Sequence, residues 1–364
     1  MKILIVQDWL RSGGTERQSI LLANAFAAAG HPATLLTFRP GGPLASTVAA
    51  NVARPSLQPF DLRLDWFAPG LLRAVRRITP DVVLCMGRMA NCHAGRIQHA
   101  FPAVAVIATM RTGKALPLPF RRSLPAVTHV IANSQEAAAE LTAQHGVAPA
   151  RIAVIHNSLV FPDDVPASRR EILRREHGAR PETVVLLCVA MFRPEKNQRE
   201  LVEIASALPA SPPWQLWLAG DGPARAECEQ LAAARGLADR VRFLGFQRDP
   251  SALYAAAEIA VHASRNESLS NFLIEAQAHG LPVVACEARG VAECFVPGVT
   301  GWTAPHGDRA GFLGRLRPLM AEPSLRQACA PLARAHARQN FDARRQVQAH
   351  LDLFERLGQG RRAS

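Results

Sequence analysis

The sequence predicts an α/β protein built from two doubly wound parallel-sheet domains. Short apolar runs alternate with helical segments along almost the whole chain. A polar, breaker-rich stretch from Asn157 to Pro181 interrupts that alternation once, after which it restarts. The length, 364 residues, exceeds what one ordinary core absorbs. Strands separated by helical crossovers must run parallel, and a parallel sheet covered on both faces reads as continuous apolar runs.

In the first half the pattern gives strands at 3–6, 33–38, 81–85, 104–109, 129–132 and 152–155. Helices fall at about 15–29, near 69–78 and at 135–145, the last with Ser134 placed to cap it and Gly146 to end it. In the second half strands are expected at 184–190, 215–219, 242–244, 259–262 and 282–285. Helices lie between them at 198–207, 224–235, 250–256 and 271–279, and a last amphipathic helix at 341–357 precedes a Gly/Arg tail without fold signal. The expected organisation is an N-terminal domain at 1–160, a linker with a short helix at 161–182, a C-terminal domain at 183–340, and a terminal helix and tail at 341–364. That helix is expected to pack back on the N-terminal domain. In such sheets ligands bind outside the carboxyl ends of the strands.

Composition narrows the function classes. Hydrophobic residues make up 48% and charged residues 20%, a globular balance. No apolar run approaches the roughly 20 residues of a spanning helix, and Ile3–Val6 reads as a buried strand rather than a leader, so a cytoplasmic protein is expected. The net charge of +12 is spread over both halves, which does not suggest a nucleic-acid partner and suits an anionic membrane surface or a phosphorylated ligand. Arginine supplies nearly all of it, since lysine occurs only at Lys2, Lys114 and Lys196. Seven cysteines without a Cys-x-x-Cys pair read as free thiols, not as a zinc site or disulfide framework.

Several segments at predicted strand ends carry chemistry. In His262-Ala263-Ser264-Arg265-Asn266-Glu267-Ser268-Leu269-Ser270-Asn271-Phe272-Leu273-Ile274-Glu275, one glutamate lies in a loop and the other about a turn into the next helix. Between them the backbone N–H groups of Leu269 to Phe272 start a helix, a ready site for phosphate. The carboxylates of Glu267 and Glu275 are then suited to sugar hydroxyls. Taken alone, the spacing is equally that of a solvated loop glutamate and a helix-face charge. Arg193-Pro194-Glu195-Lys196, also between strand and helix, places two cations three residues apart. An arginine can fork onto phosphate oxygens and a lysine acts as a point charge. Gly13-Gly14-Thr15-Glu16 opens the first helix, where glycines let a ligand approach the backbone. It is not Gly-x-Gly-x-x-Gly, so a nicotinamide or flavin fingerprint is absent. Gly290 and Glu293 follow the strand at 283–286, while Gly220-Asp221-Gly222-Pro223 reads as a plain strand-end turn.

In order and spacing these motifs resemble the retaining GT-B glycosyltransferases of family 4, most closely over residues 183–305. The resemblance implies two Rossmann-like domains facing an interdomain cleft. It implies a donor diphosphate held by Arg193 and Lys196, and sugar and phosphate contacts from Glu267, Ser268, Leu269, Ser270, Asn271, Glu275, Gly13, Gly14, Glu16 and Gly290. Gly245 and Phe246 resemble the strand end that meets the nucleobase. Many family members place a histidine after the strand at 104–109, where this chain has Arg111. A guanidinium there could meet phosphate or an anionic acceptor but cannot serve as a general base.

The implied activity is transfer of a hexosyl unit from a nucleoside diphosphate sugar, with UDP the first choice. The acceptor would be a glycan or lipid-linked molecule of cell-surface polysaccharide biosynthesis. Asp-x-Asp is absent; no cofactor and no metal are expected, because the chain's own cations neutralise the leaving diphosphate. An epimerase would need an acid/base cluster that is not apparent. A pyridoxal phosphate enzyme would need a lysine other than Lys196. A non-catalytic sugar-nucleotide-binding GT-B module or assembly subunit stays open. The segment from Asp65 to Arg77, with Arg121 and Arg122, mixes bulky apolar and basic residues; it suits peripheral contact with an anionic membrane and equally an ordinary surface helix.

Overall fold

The structure, a computed structural model, describes residues 1–161 and 165–362; Pro162, Asp163 and Asp164 of the expected linker lie outside the described residues. The chain divides into two compact units, one comprising residues 1–158 with the chain from Ala343 onward and the other residues 159–342.

Unit 1 runs β1 (Ile3–Gln7), α1 (Gly14–Ala28), β2 (Ala33–Thr37), α2 (Leu71–Ile78), β3 (Val82–Cys85), α3 (Arg88–Ala100), β4 (Ala105–Met110), α4 (Leu118–Ser123), β5 (His129–Ala132), α5 (Gln135–His145) and β6 (Ile152–Val154). The strands form a parallel sheet in the order β2-β1-β3-β4-β5-β6. Every residue of β1 is buried, because helices cover both faces of the sheet. Ser134 caps α5 through Ala137 N–H, and Gly146 ends it in the left-handed region. These positions match the expectation.

Unit 2 runs α6 (Ala167–Glu176), β7 (Val184–Val189), α7 (Gln198–Ala205), β8 (Trp214–Ala219), α8 (Arg225–Ala234), β9 (Val241–Gly245), α9 (Ser251–Ala256), β10 (Ile259–His262), α10 (Asn271–Ala278), β11 (Val283–Cys286), β12 (Gly301–Ala304), α11 (Arg309–Ala321) and α12 (Pro323–Phe341). Its parallel sheet has the order β12-β11-β10-β7-β8-β9. Successive strands from β7 build outward one way to β9, and from β10 the other way to β12. The order therefore reverses between β7 and β10, which leaves a crevice at the carboxyl ends of those two strands.

Two expectations need correction. The terminal helix is not one element from 341 to 357: α12 ends at Phe341, Asp342 is extended, and α13 (Ala343–Arg362) continues through the stretch read as a structureless tail. In unit 1, Val347, Leu351, Leu353 and Phe354 of α13 enter the core, with the Phe354 and Phe26 rings 5.7 Å apart. Helix α3 went unread because its buried face carries polar residues. Asn91 Oδ1 accepts Thr109 N–H at 2.9 Å and Gln98 Oε1 accepts Val106 N–H at 3.3 Å, so this face bonds to the sheet instead of looking apolar.

The helix in the expected linker is part of unit 2. Arg174 of α6 is 5% exposed. It donates to the carbonyls of Ala256 (2.8 Å), Arg180 (2.8 Å) and Thr183 (2.6 Å) and to the Glu258 carboxylate at 2.9 Å. Replacing it by methionine leaves three carbonyls and a carboxylate short of a donor. Arg174→Met is expected to lower stability by on the order of 3 kcal/mol, read as a lower urea midpoint at unchanged slope. Wild-type stability in that variant would mean that α6 is an appended linker.

Candidate active site

The loops leaving β7 and β10 meet at the reversal point of the unit 2 sheet. After β7 the chain is wedged against the turn that follows β8. A Cβ on Gly220 would lie 2.0 Å from the Ala190 carbonyl oxygen, and one on Gly222 would lie 2.4 Å from that of Phe192. Both glycines have positive φ, so the turn read as plain is one that only glycine can make at this approach. Phe192 N–H donates to Asp221 O at 2.9 Å. Gln198, nearly fully buried, donates to the carbonyls of Ala190 (3.3 Å) and Met191 (3.1 Å). The short turn Pro194–Lys196 is thereby fixed. The Glu195 carbonyl accepts Arg265 N–H at 2.9 Å and the Ser264 hydroxyl at 3.1 Å, which ties the two loops together.

Across this crevice Lys196 Nζ donates to Glu267 Oε1 at 2.5 Å, and His262 Nε2 lies 3.0 Å from the same oxygen. Because a carboxylate only accepts, Nε2 carries the proton of that bond. His262 Nδ1 is buried without a partner among the described residues. Glu267 is 7% exposed. Burial alone pushes its carboxyl up, but the charge of Lys196 and the hydrogen bonds from His262 and Lys196 outweigh that and hold it at about 2. Glu267 Oε2 takes no bond among the described residues. Arg193, half-buried at the start of the same turn, makes no side-chain hydrogen bond or ion pair among them either.

Ser268, Leu269 and Ser270 are buried and lead into α10, which begins at Asn271 without a side-chain cap. Gly290, in the loop after β11, braces this turn: φ is +68° and a Cβ would lie 1.8 Å from Ser268 O. Glu275 does not join Glu267 in this bonding; its Oε2 accepts the hydroxyl of Tyr254, the chain's sole tyrosine, at 2.6 Å. Tyr254 in turn stacks on His279 at 4.9 Å and on Phe272 at 6.0 Å. Gly245 ends β9 with positive φ and its carbonyl accepts Gly220 N–H at 2.7 Å, while Phe246 is exposed. Glu293 sits in a short helical turn beyond Gly290.

Unit 1 holds the remaining candidates. Gly13 is the N-cap of α1 and Gly14 its first residue. The buried Glu16 carboxylate folds back over Gly13, where a Cβ would lie 2.3 Å from Glu16 Oε2. Asp8, which sequence reasoning passed over, caps α3 from the end of β1 by accepting Met89 N–H (3.0 Å) and Ala90 N–H (2.7 Å). Its burial pushes the carboxyl up to about 6 against those two bonds. Arg111 follows β4 and donates from Nη1 to Asn157 Oδ1 at 2.6 Å. Its Nε and Nη2, the side-on fork of the guanidinium, are buried without a partner among the described residues, and burial holds its pKa down to about 10.

In unit 2 this arrangement offers an uncommitted guanidinium, an ammonium fixed by a carboxylate, an uncapped helix start and one free carboxylate oxygen. That combination can hold phosphate and orient hydroxyl groups. Sequence reasoning missed His262, Tyr254 and Asn157. Of these His262 carried a signal, as the last residue of the strand that delivers Glu267.

Known proteins resemble the chain in both units. Residues 12–159 match the family described as Glycosyltransferase Family 4, and residues 169–336 the family described as Glycosyl transferases group 1. The lipopolysaccharide core biosynthesis glycosyltransferase LpsE of Rhizobium meliloti is 27% identical over 318 residues, covering 87% of this chain and 88% of that protein. A D-inositol 3-phosphate glycosyltransferase of Streptomyces bingchenggensis is 30% identical over 249 residues, covering 65% of this chain and 54% of that one. Among solved structures, Anabaena HepE in complex with UDP and glucose superimposes with a TM-score of 0.83 at 22% identity, covering 98% of this chain and 99% of that one.

The Lys196–Glu267 pair predicts an acid limb of stability. The folded carboxyl near 2 lies below its ordinary 4.5, so its contribution is fully present above about 4.5 and lost as pH falls towards 2. With Lys196→Met, burial prevails and Glu267 titrates above its ordinary value, so this group's acid loss disappears and its protonation restores stability as pH falls. Stability at neutral pH falls by on the order of 3 kcal/mol. Urea midpoints measured from pH 7 to 3 check both; superimposable profiles for the two proteins would show that the pair carries no stability.

Proposed function

We infer, from a chain that belongs to the family 4 glycosyltransferases of GT-B fold, that it moves a hexosyl unit from a nucleoside diphosphate sugar to an acceptor with retention of anomeric configuration. The observation that carries this reading is the pairing of Lys196 with Glu267 at the reversal point of the unit 2 sheet, with Arg193 at the start of the lysine's turn and Glu267 in the loop that leads into α10. Cleaving the sugar–phosphate bond sends its electron pair to the diphosphate, so charge builds on the leaving group. Fixed cations stabilise that charge most in the transition state. Arg193 forks onto the diphosphate, Lys196 adds a point charge without a metal ion, and α10 adds backbone N–H groups.

Glu267 works by position. Its Oε1 fixes the lysine and its Oε2 accepts from a donor hydroxyl. Held near 2, it stays ionised and is no proton shuttle at neutral pH. The acceptor hydroxyl attacks the anomeric carbon on the face from which the diphosphate departs, and its proton passes to a departing phosphate oxygen. Arg111 of unit 1, with its side-on fork unused, is suited to an anionic group. UDP as the base-bearing group is supported by the UDP complex of HepE, and a glycan or lipid-linked acceptor of cell-surface polysaccharide synthesis by the lipopolysaccharide core role named for LpsE.

The reaction is tested by incubating the protein with UDP-hexoses and lipid-linked or glycan acceptors and reading the product anomer by NMR. Retention is expected, with Arg193→Ala lowering kcat about 10²- to 10³-fold. Inversion would overturn the front-face course, and donor binding without turnover would make the protein a non-catalytic sugar-nucleotide module. Wild-type turnover in Arg111→Ala would take Arg111 out of the site.

A further inference from the structure

The segment 57–78 of unit 1 exposes a row of large apolar side chains while its acids are tied up by arginines. Phe60 and Trp66 are 65% and 57% exposed, and Leu62 and Leu64 between them are exposed as well. The two acids that alternate with these residues are instead held by arginines of the same unit, although Asp61 stays exposed and Asp65 half-buried. The buried guanidinium of Arg39 grips Asp61 with Nε at 2.7 Å and Nη2 at 2.9 Å, and Asp65 with Nη1 at 2.7 Å. Arg39 itself lies 4.0 Å over the Trp9 ring, and Arg11 takes the other oxygen of Asp65. Gln58, fully buried, donates to the carbonyls of Leu64 and Phe67 at 2.8 Å each and accepts Leu62 N–H at 3.3 Å. These bonds fix the backbone, so the outward aromatics are built into the loop.

Charge in the segment is sorted in the same way. Asp61 and Asp65 are its sole acids, and both are paired with Arg39. Arg63, Arg73, Arg76 and Arg77 are exposed and make no ion pair among the described residues. The chain passes from Trp66 within a few residues into α2, which carries three of them. Aromatic and aliphatic side chains projecting beside a cationic face fit the headgroup zone of an anionic bilayer, where rings enter the interface and arginines meet lipid phosphate. An apolar exposed row of this kind marks an interaction surface. Among the described residues no helix is long and apolar enough to cross a membrane, so the attachment is peripheral.

We propose that Phe60, Leu62, Leu64 and Trp66, with Arg63, Arg73, Arg76 and Arg77, form a docking surface for anionic lipid. The proposal deepens the lipid-linked acceptor reading but stands apart from the chemistry, because docking is measured without donor or acceptor. The full chain is sedimented with vesicles of phosphatidylcholine alone or rich in phosphatidylglycerol, at low and high salt. Retention is expected on the anionic vesicles at low salt, weakened by high salt. Loss of at least about tenfold in affinity is expected for Phe60→Ser/Trp66→Ser and for Arg73→Glu/Arg76→Glu/Arg77→Glu. Unchanged thermal midpoints show that both variants fold. No retention at low salt, or retention that both variants keep, overturns the proposal. Concentration-dependent self-association that the aromatic variant loses would assign the surface to a second copy of the chain and overturn it as well. Vesicle binding without transfer activity would leave the docking surface standing and remove the reaction.

Discussion

Keeping a carboxylate charged where water barely reaches it is the requirement that orders unit 2. Glu267 is 7% exposed and burial opposes its charge, so Lys196 and His262 must both face one of its oxygens. For the lysine to stand there, the turn Pro194–Lys196 must be held rigid. The backbone on either side allows this only because Gly220, Gly222 and Gly290 carry no Cβ. The ammonium is aimed, and the neighbouring Arg193 keeps its guanidinium uncommitted. The pair sits where the sheet order reverses, the place at which parallel sheets open a crevice. Fold and electrostatics therefore point to one spot.

The two units use their glycines and carboxylates differently. In unit 1 the corresponding helix starts are largely filled from within: Asp8 caps α3, and the Glu16 carboxylate folds over Gly13 at the start of α1. In unit 2 N-cap Ser270 of α10 makes no side-chain cap bond, and the loop before it carries the Glu267 that pairs with Lys196. The helix start left open by its own N-cap side chain is thus in unit 2. Unit 1 instead contributes the exposed apolar loop and the unsatisfied fork of Arg111.

Much of this was legible in the residues. Alternating apolar runs located the strands because both sheets are covered on both faces. The strand ends located Arg193, Lys196 and Glu267 because loops of a doubly wound sheet carry its chemistry. What the sequence hid has physical causes. Helix α3 buries Asn91 and Gln98, which bond to the sheet and so erase the apolar stripe. Asp342 breaks a helix whose pattern runs on across it. The role of the Gly220-Asp221-Gly222 turn depends on a close approach between segments thirty residues apart, which no local pattern encodes. Glu275 bonding to Tyr254, and His262 to Glu267, are likewise matters of packing. The exposed row at 60–66 was half-visible: the apolar residues could be counted, but the capture of Asp61 and Asp65 by Arg39 needs the folded chain.

The central claim is that Arg193, Lys196 and the start of α10 hold the diphosphate of a sugar nucleotide. Thermal unfolding of the full chain with UDP-, GDP-, ADP- and CMP-sugars tests it most directly. One diphosphate donor at about 100 times its dissociation constant should stabilise the fold by about 2.7 kcal/mol, and Arg193→Ala should abolish most of that gain. A panel in which no donor shifts the transition, or in which the variant gains as much as the wild type, contradicts the account.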